Sequence, residues 1–384
     1  MSGQLYKLHH KHIRQLSGGL SRSIQVHLSS ARQYNTPTFN VEDLPKNQLD
    51  KVQYYFENGF RKVKPYGFTY LVRTKAKWFD KTLPEVMCSG LSNKYTTETV
   101  SWAMNVGRIT VNDTVVSPEY KLKLGDNITS HDIHRHEPAI PHREIKFIHQ
   151  ESNFVVVDKP HGMPVHPNGT YNYNTLLRIL QKENNLSPLM NPIHRLDGLT
   201  AGVLILGKLS GDKTLQKTFT ENVSEKEYVC RVQGRFPDQE VLCEAPIDVQ
   251  KFPFRSVVSE LGKPSVTKFN RISFDGISSV VSCKLQTGRM HQIRVHLAFL
   301  GYPIANDPLY NLDFRQKNNN SAYKDLVKLP TNAFPSPENP CQLCQSPPSD
   351  PNADRMILWL KAIRYAGSDW QFEAEWPEWA VSPQ

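Results

Sequence analysis

The sequence predicts an α+β chain in which strands outnumber helices, with a small basic unit placed ahead of the main body. Three observations carry this. Residues 193–208 read IHRLDGLTAGVLILGK, a polar loop that turns through Gly198, Thr200 and Gly202 into a continuous apolar run closed by Gly207. A short apolar run between glycines is the pattern of a buried strand. Residues 226–232 (KEYVCRV) alternate as a strand should, and 265–274 and 280–285 have the same strand character. Helical signals are fewer: 174–182, 210–222 with Ser210 as N-cap, and the run that follows Thr287-Gly288.

Composition narrows the partner. The chain has 384 residues, enough for two domains, and Lys plus Arg outnumber Asp plus Glu by 46 to 37, a formal charge of +9. That excess favours a polyanion, with nucleic acid ahead of an anionic membrane. No run of about 18 apolar residues exists, so no membrane partner is expected. The six cysteines are scattered, most of them in apolar or strand-like surroundings, as in a reducing compartment.

Residues 1–41 contain no acidic side chain but carry Lys7, Lys11, Arg14, Arg22 and Arg32 among six serines. Arg-rich, Ser-rich and acid-free is the signature of a mitochondrial transit peptide. Ile13, Leu16, Leu20, Ile24 and Leu28 would line one face of a helix, weakened by Gly18-Gly19. The competing reading is a disordered basic tail that holds RNA, in a cytoplasmic or nuclear protein. Either way the segment is expected outside the folded part.

Residues 50–140 form the small basic unit. The stretch 54–70 interleaves aromatics with Arg61, Lys62 and Lys64, a pattern that suits stacking on bases; packing one domain against another explains it equally well. Residues 81–88 and 97–106 predict helices, 108–112 a strand and Asn112-Asp113 a turn. His131, His134 and His136 in HDIHRHEP lack a nearby cysteine and match no familiar metal spacing, so a solvated linker and no metal are expected there.

Residues 141–384 form the main body. Residues 144–158 read as strand, turn, strand, ending at Asp158-Lys159-Pro160 beside the Asp197 loop. Arg289, His291, Gln292 and Arg294 gather at the start of the helix after Gly288, where a positive dipole end suits a phosphate or carboxylate. Residues 315–354, rich in Asn, Pro and Ser, have the composition of a disordered insertion. Within it Pro340-Cys341-Gln342-Leu343-Cys344 spells half a zinc site. The same half occurs in zinc nucleotide deaminases, whose other half, H-x-E, is spelled only by 149–151, far upstream. With no second cysteine pair, no metal is assigned. Two last strands, near 356–365 and 370–376, return to the sheet.

HRLDGLTAG, KEYVCRV and TGRMHQIRVHLAFLGYPIANDPLY follow a DKPHGMPVH segment in that order. Together they resemble the RluA family of pseudouridine synthases, densely over 144–314. The helix with GRITVN and LGDN in 97–128 resembles the small RNA-binding fold named after ribosomal protein S-four. YFENGFRKVKPY and HRHEP further resemble the eukaryotic branch that modifies tRNA at position 32. The resemblance implies a pseudouridine synthase fold with a mixed, largely antiparallel central sheet, preceded by the S-four-like module. It implies a uridine isomerase acting on tRNA without metal or cofactor; a monomer is expected, although the sequence does not fix the oligomeric state. Asp197 would be the nucleophile, Tyr228 would stack on the flipped uracil, and Arg289 would pair with Asp197. Arg195, Arg108 and Lys94 would hold RNA, and Ile293 or Leu196 would wall the pocket. The chain departs from the family pattern at Ala201, usually Ser, and at Lys361, often His. Ribosomal RNA or another tRNA position remains an alternative substrate, and a non-catalytic RNA chaperone an alternative function. The branch's added deaminase domain is not expected.

Overall fold

The computed structural model describes residues 13–15, 49–88, 95–208, 214–251, 254–317 and 341–381. The expected transit segment, apart from 13–15, lies outside these residues, as do Lys94 and 318–340 of the expected insertion. Ile13–Gln15 is a strand paired with Val241–Cys243, so these three residues leave the helix expected of them and join the sheet's edge.

An eleven-stranded sheet forms the centre. Its path runs Ile13–Gln15, Val241–Cys243, Thr267–Phe274, Ser278–Leu285, Val223–Gln233, Leu360–Gly367, Ala201–Lys208, Phe154–Lys159 and Lys146–Gln150. Met190–Pro192 and Gln371–Glu373 pair off this path. Among the described residues the only parallel pair in it joins Ala201–Lys208 to Leu360–Gly367; every other neighbour is antiparallel. The sheet is therefore mixed and largely antiparallel, as expected.

The run 203–206 is apolar throughout because both faces of its strand are covered. Leu204 and Leu206 join the core beneath helices Leu176–Glu183 and Gln292–Phe299, while Val203 and Ile205 face Phe154, Phe219 and Phe372 on the other side. Burying each such side chain contributes about 1.5–3 kcal/mol. Gly202 has φ +111, and a Cβ there would stand 2.0 Å from the carbonyl oxygen of Ala362. Only glycine lets the chain turn out of the Asp197 loop directly against the neighbouring strand.

A second core belongs to the basic unit. Strands Tyr66–Arg73, Asn127–Arg135 and Ile109–Val111 form a three-stranded sheet covered by helices Leu83–Val86 and Thr97–Asn105. Val100, Ala103 and Met104 recur at helical spacing and are fully buried, and Thr96 Oγ1 caps the helix by accepting from Thr99 N–H at 3.2 Å.

HDIHRHEP is not a solvated linker. His131 to Arg135 end a strand, and the residues after it brace the basic unit to the main body. Arg135 donates to the carbonyls of Gly169 and Thr170, both at 3.1 Å. The buried Glu137 carboxylate accepts from Tyr66 Oη and from the N–H groups of Asn172, Tyr173 and Asn174, all within 2.9 Å. Four donors satisfy the charge that burial would otherwise penalise. The aromatic segment serves the same junction: Arg61 is buried between Tyr54 and Phe56 and paired with Glu183. Packing is thus its main role, although Tyr55 and Phe56 remain exposed. Among the described residues no helix is long and apolar enough to cross a membrane.

Candidate active site

Asp197 sits in a tight turn, its carbonyl accepting from Thr200 N–H at 3.1 Å, just before strand Ala201–Lys208. Lys159, the last residue of strand Phe154–Lys159, holds that turn from below. Its fully buried ammonium donates to the carbonyls of Pro160 (2.9 Å), Met163 (2.8 Å) and Gly198 (3.0 Å). Burial pushes Lys159 down to about 7, against the attraction of the Asp197 and Asp158 carboxylates. His161 Nδ1 lies 2.9 Å from the carbonyl of Leu199, a second tie between the same segments. Behind the loop, His194 stacks on Tyr365 with centroids 4.6 Å apart and accepts from Ile205 N–H at 3.2 Å. Burial, and then the charge of Lys226, lower His194 to about 3, so it is a neutral structural ring.

Two side chains converge on the Asp197 carboxylate, whose side chain is 29% exposed. Arg294 Nη1 and His291 Nε2 each lie 3.5 Å from Oδ2. Arg294 is itself fixed by a bidentate pair with the fully buried Asp307 at 2.7 and 2.8 Å. Asp307 also accepts from Leu309 and Tyr310 N–H. Burial raises the Asp307 carboxyl, but Arg294 and these hydrogen bonds outweigh it and hold the group below its usual value. His291 caps the helix in the left-handed region at φ 56, a strained position for a non-glycine residue. Ser256 N–H donates to Tyr310 Oη (3.1 Å), and Tyr310 Oη lies 2.9 Å from His291 Nδ1. When Tyr310 Oη donates to Nδ1, the histidine proton sits on Nε2, facing Asp197.

Tyr228 lies in strand Val223–Gln233, buried to 9% exposure in the main core. Burial, reinforced by the charge of Asp197, raises its hydroxyl well above the ordinary phenol value. Leu196 and Ile293, expected as the apolar wall, are buried in the same cluster.

Arg289 does not pair with Asp197. It is exposed, and its Nε donates to the carbonyl of Pro264 at 3.1 Å. The helix begins only at Gln292, so TGR belongs to the preceding turn, which Gln292 pins by accepting from Thr287 Oγ1 and Arg289 N–H. Arg294 is the arginine that reaches Asp197, because side chains on a helix lean toward its N-terminus, here toward the Asp197 loop. The signal was legible: an arginine inside a helix buried on every side requires a partner. Lys159 and Asp307 also went unread, one as a turn residue and the other as part of an exit loop. Lys361, at the family's histidine position, donates to Asp158 Oδ2 at 2.8 Å.

The two described residues among the expected RNA contacts lie in different units. Arg195 is exposed beside the loop; Arg108 bonds the carbonyl and carboxylate of Asp132 in the basic unit; Lys94 lies outside the described residues.

A model of the family described as RNA pseudouridylate synthase matches residues 153–299. The chain is similar to the mitochondrial tRNA pseudouridine(32) synthase of Saccharomyces cerevisiae, with 37% identity over 91% of this chain and 83% of that one. The chain belongs to the RNA pseudouridylate synthase family. RNA pseudouridine synthase 7 of Oryza sativa subsp. japonica is 34% identical to the enzyme over 90% of this chain and 96% of the relative. Among solved structures, Human RNA Pseudouridylate Synthase Domain Containing 1 superposes with a TM-score of 0.42 at 18% identity, covering 61% of this chain and 84% of the other.

Proposed function

We propose that the enzyme isomerises the uridine at position 32 of the tRNA anticodon loop, with Asp197 as nucleophile. The observation that carries the chemistry is the partly exposed Asp197 carboxylate aimed by Arg294 and His291 on a loop clamped by Lys159. A similar chain named as a tRNA pseudouridine(32) synthase supports the choice of RNA and position.

The target uridine must leave its stack to reach Asp197, and exposed Arg195 beside the loop is placed to hold the extruded nucleotide. Tyr228, kept as a neutral phenol, offers a ring face for the uracil. The carboxylate attacks the nucleoside at the ribose or at the base. The bond from C1′ to N1 breaks, the base turns, and a bond from C1′ to C5 forms. The hydrogen on C5 is lost and N1 ends protonated, so atoms balance with no external reactant. Arg294 stabilises the carboxylate in its attacking form, and Asp307 keeps the guanidinium from moving with it. The S-four-like unit, with Arg108 and Lys94, would position the RNA through its phosphates.

An acid-free, Arg- and Ser-rich start, together with a relative named as mitochondrial, supports import into mitochondria. Pseudouridine mapping of total and mitochondrial tRNA tests all of this, comparing cells that carry the normal chain with cells that carry Asp197→Ala. Loss of the mark at position 32 in mitochondrial tRNA is expected. A mark lost from ribosomal RNA alone would overturn the tRNA assignment. Unchanged marks in every RNA would favour a chaperone.

A further inference from the structure

The two half-motifs dismissed separately in the sequence meet in the fold. Successive side chains of a strand alternate between faces, so His134 and His136 point the same way at the end of strand Asn127–Arg135 while Arg135 points away. Residues three apart share one side of a helical turn; Cys341 immediately precedes the turn Gln342–Gln345 and Cys344 lies within it. The four ligand atoms lie within 4.8 Å of one another, although their segments are about two hundred residues apart in sequence.

Hydrogen bonding does not account for this cluster. His136 Nε2 lies 3.2 Å from His134 Nε2, 3.2 Å from Cys341 Sγ and 3.5 Å from Cys344 Sγ. His134 Nε2 lies 3.2 Å from Cys344 Sγ. A ring nitrogen carries either one proton or one lone pair, so it cannot serve three partners. One ion at the centre serves all four. With bonds of about 2.0–2.1 Å to nitrogen and about 2.3 Å to sulfur, a tetrahedral ion sets its ligands roughly 3.3–3.8 Å apart. The donor set, two imidazoles and two thiols without a carboxylate, suits zinc above harder cations.

We propose that the enzyme carries a structural zinc site formed by His134, His136, Cys341 and Cys344. Four protein ligands close the coordination sphere and leave no position for a reactive water, so the site holds structure and performs no hydrolysis. His149 and Glu151, the candidate deaminase half, are bonded to each other elsewhere and take no part. Binding displaces two protons from the thiols, and the two thiolates neutralise the ion, which suits a half-buried site. The zinc ties the basic unit's sheet to the segment that leads into the central strand Leu360–Gly367. That segment also touches the unit's side through Asp350, which accepts from Lys62 at 2.6 Å and Asn58 at 2.9 Å.

The test uses the full chain, purified without chelators or metal-affinity resin, with metals measured by mass spectrometry. About one zinc per chain is expected. The doubly substituted Cys341→Ser/Cys344→Ser and His134→Asn/His136→Asn chains should lose it while keeping their native circular dichroism. A second measurement needs no variant: zinc is removed from the normal chain and cobalt(II) added. Intense tetrahedral visible bands with thiolate charge transfer are the expected spectrum. The proposal is overturned by zinc that persists in the double cysteine chain, by a Cys341–Cys344 disulfide in the purified protein, or by a cobalt spectrum without thiolate bands.

Discussion

At the residue scale, Arg294 and Arg289 separate what a motif spells from what a fold aims. Both stand in TGRMHQIR, yet only Arg294 reaches the Asp197 carboxylate. Arg294→Lys keeps a charge but loses the planar fork that engages Asp307 and Asp197 together. We expect kcat for tRNA modification to fall by about 100-fold or more, with Arg289→Ala changing mainly KM. Steady-state kinetics on an anticodon stem-loop reads both, and an inactive Arg289→Ala with an unimpaired Arg294→Lys would reverse the assignment. Lys159→Met leaves the carbonyls of Pro160, Met163 and Gly198 without their buried donor. A loss of about 2–4 kcal/mol in urea unfolding is expected, together with slower catalysis from a loosened Asp197 turn. HRLD and KEY are contiguous words, so Asp197 and Tyr228 stand out as candidates in the sequence alone. It hid Asp307 and Lys159, whose roles consist of contacts with residues far along the chain.

Elements explain how this geometry survives. Gly202→Ala would drive a methyl into the Ala362 carbonyl at a positive φ, so the parallel strand pair must separate locally. About 3 kcal/mol or more of destabilisation follows, measurable as a lowered urea midpoint. Three buried rings respond to acid. Burial lowers His161 and His296 to about 4 and His194 to about 3. The unfolded chain takes up these protons near the ordinary value of about 6.5. Their contribution is therefore complete above pH about 6.5 and is lost as pH falls toward 4. At pH 5 each should cost about 2 kcal/mol relative to neutral pH, and His296→Gln should flatten the dependence of unfolding free energy on pH. Long elements were legible from pattern: helix Thr97–Asn105 and the strands Phe154–Lys159, Val223–Gln233 and Ser278–Leu285 lie where the sequence placed them. The hairpin Ile247–Lys251 with Phe254–Val258 was not, since two five-residue strands joined by a short loop carry too little periodicity to stand out. HRHEP was misread because the groups that its polar side chains meet lie on distant segments.

For the whole molecule, the +9 charge makes RNA affinity depend on salt. With the Asp197→Ala chain, the logarithm of the tRNA binding constant should fall linearly with the logarithm of salt concentration. Each neutralised phosphate contributes a slope of roughly −0.7 to −0.9, and Arg195→Ala should reduce the slope by about one. A salt-independent affinity would remove phosphate contacts from the account. The strand that carries the chain out of the Asp197 turn lies between Phe154–Lys159 and Leu360–Gly367. A ribosome makes the second of these neighbours long after the turn itself, and the loop to be closed between Gly202 and Ala362 is long. Assembly of the Asp197 loop must therefore be a late step with high contact order. A nascent chain stalled before Leu360 would leave one edge of its most apolar strand open to aggregation or to a chaperone.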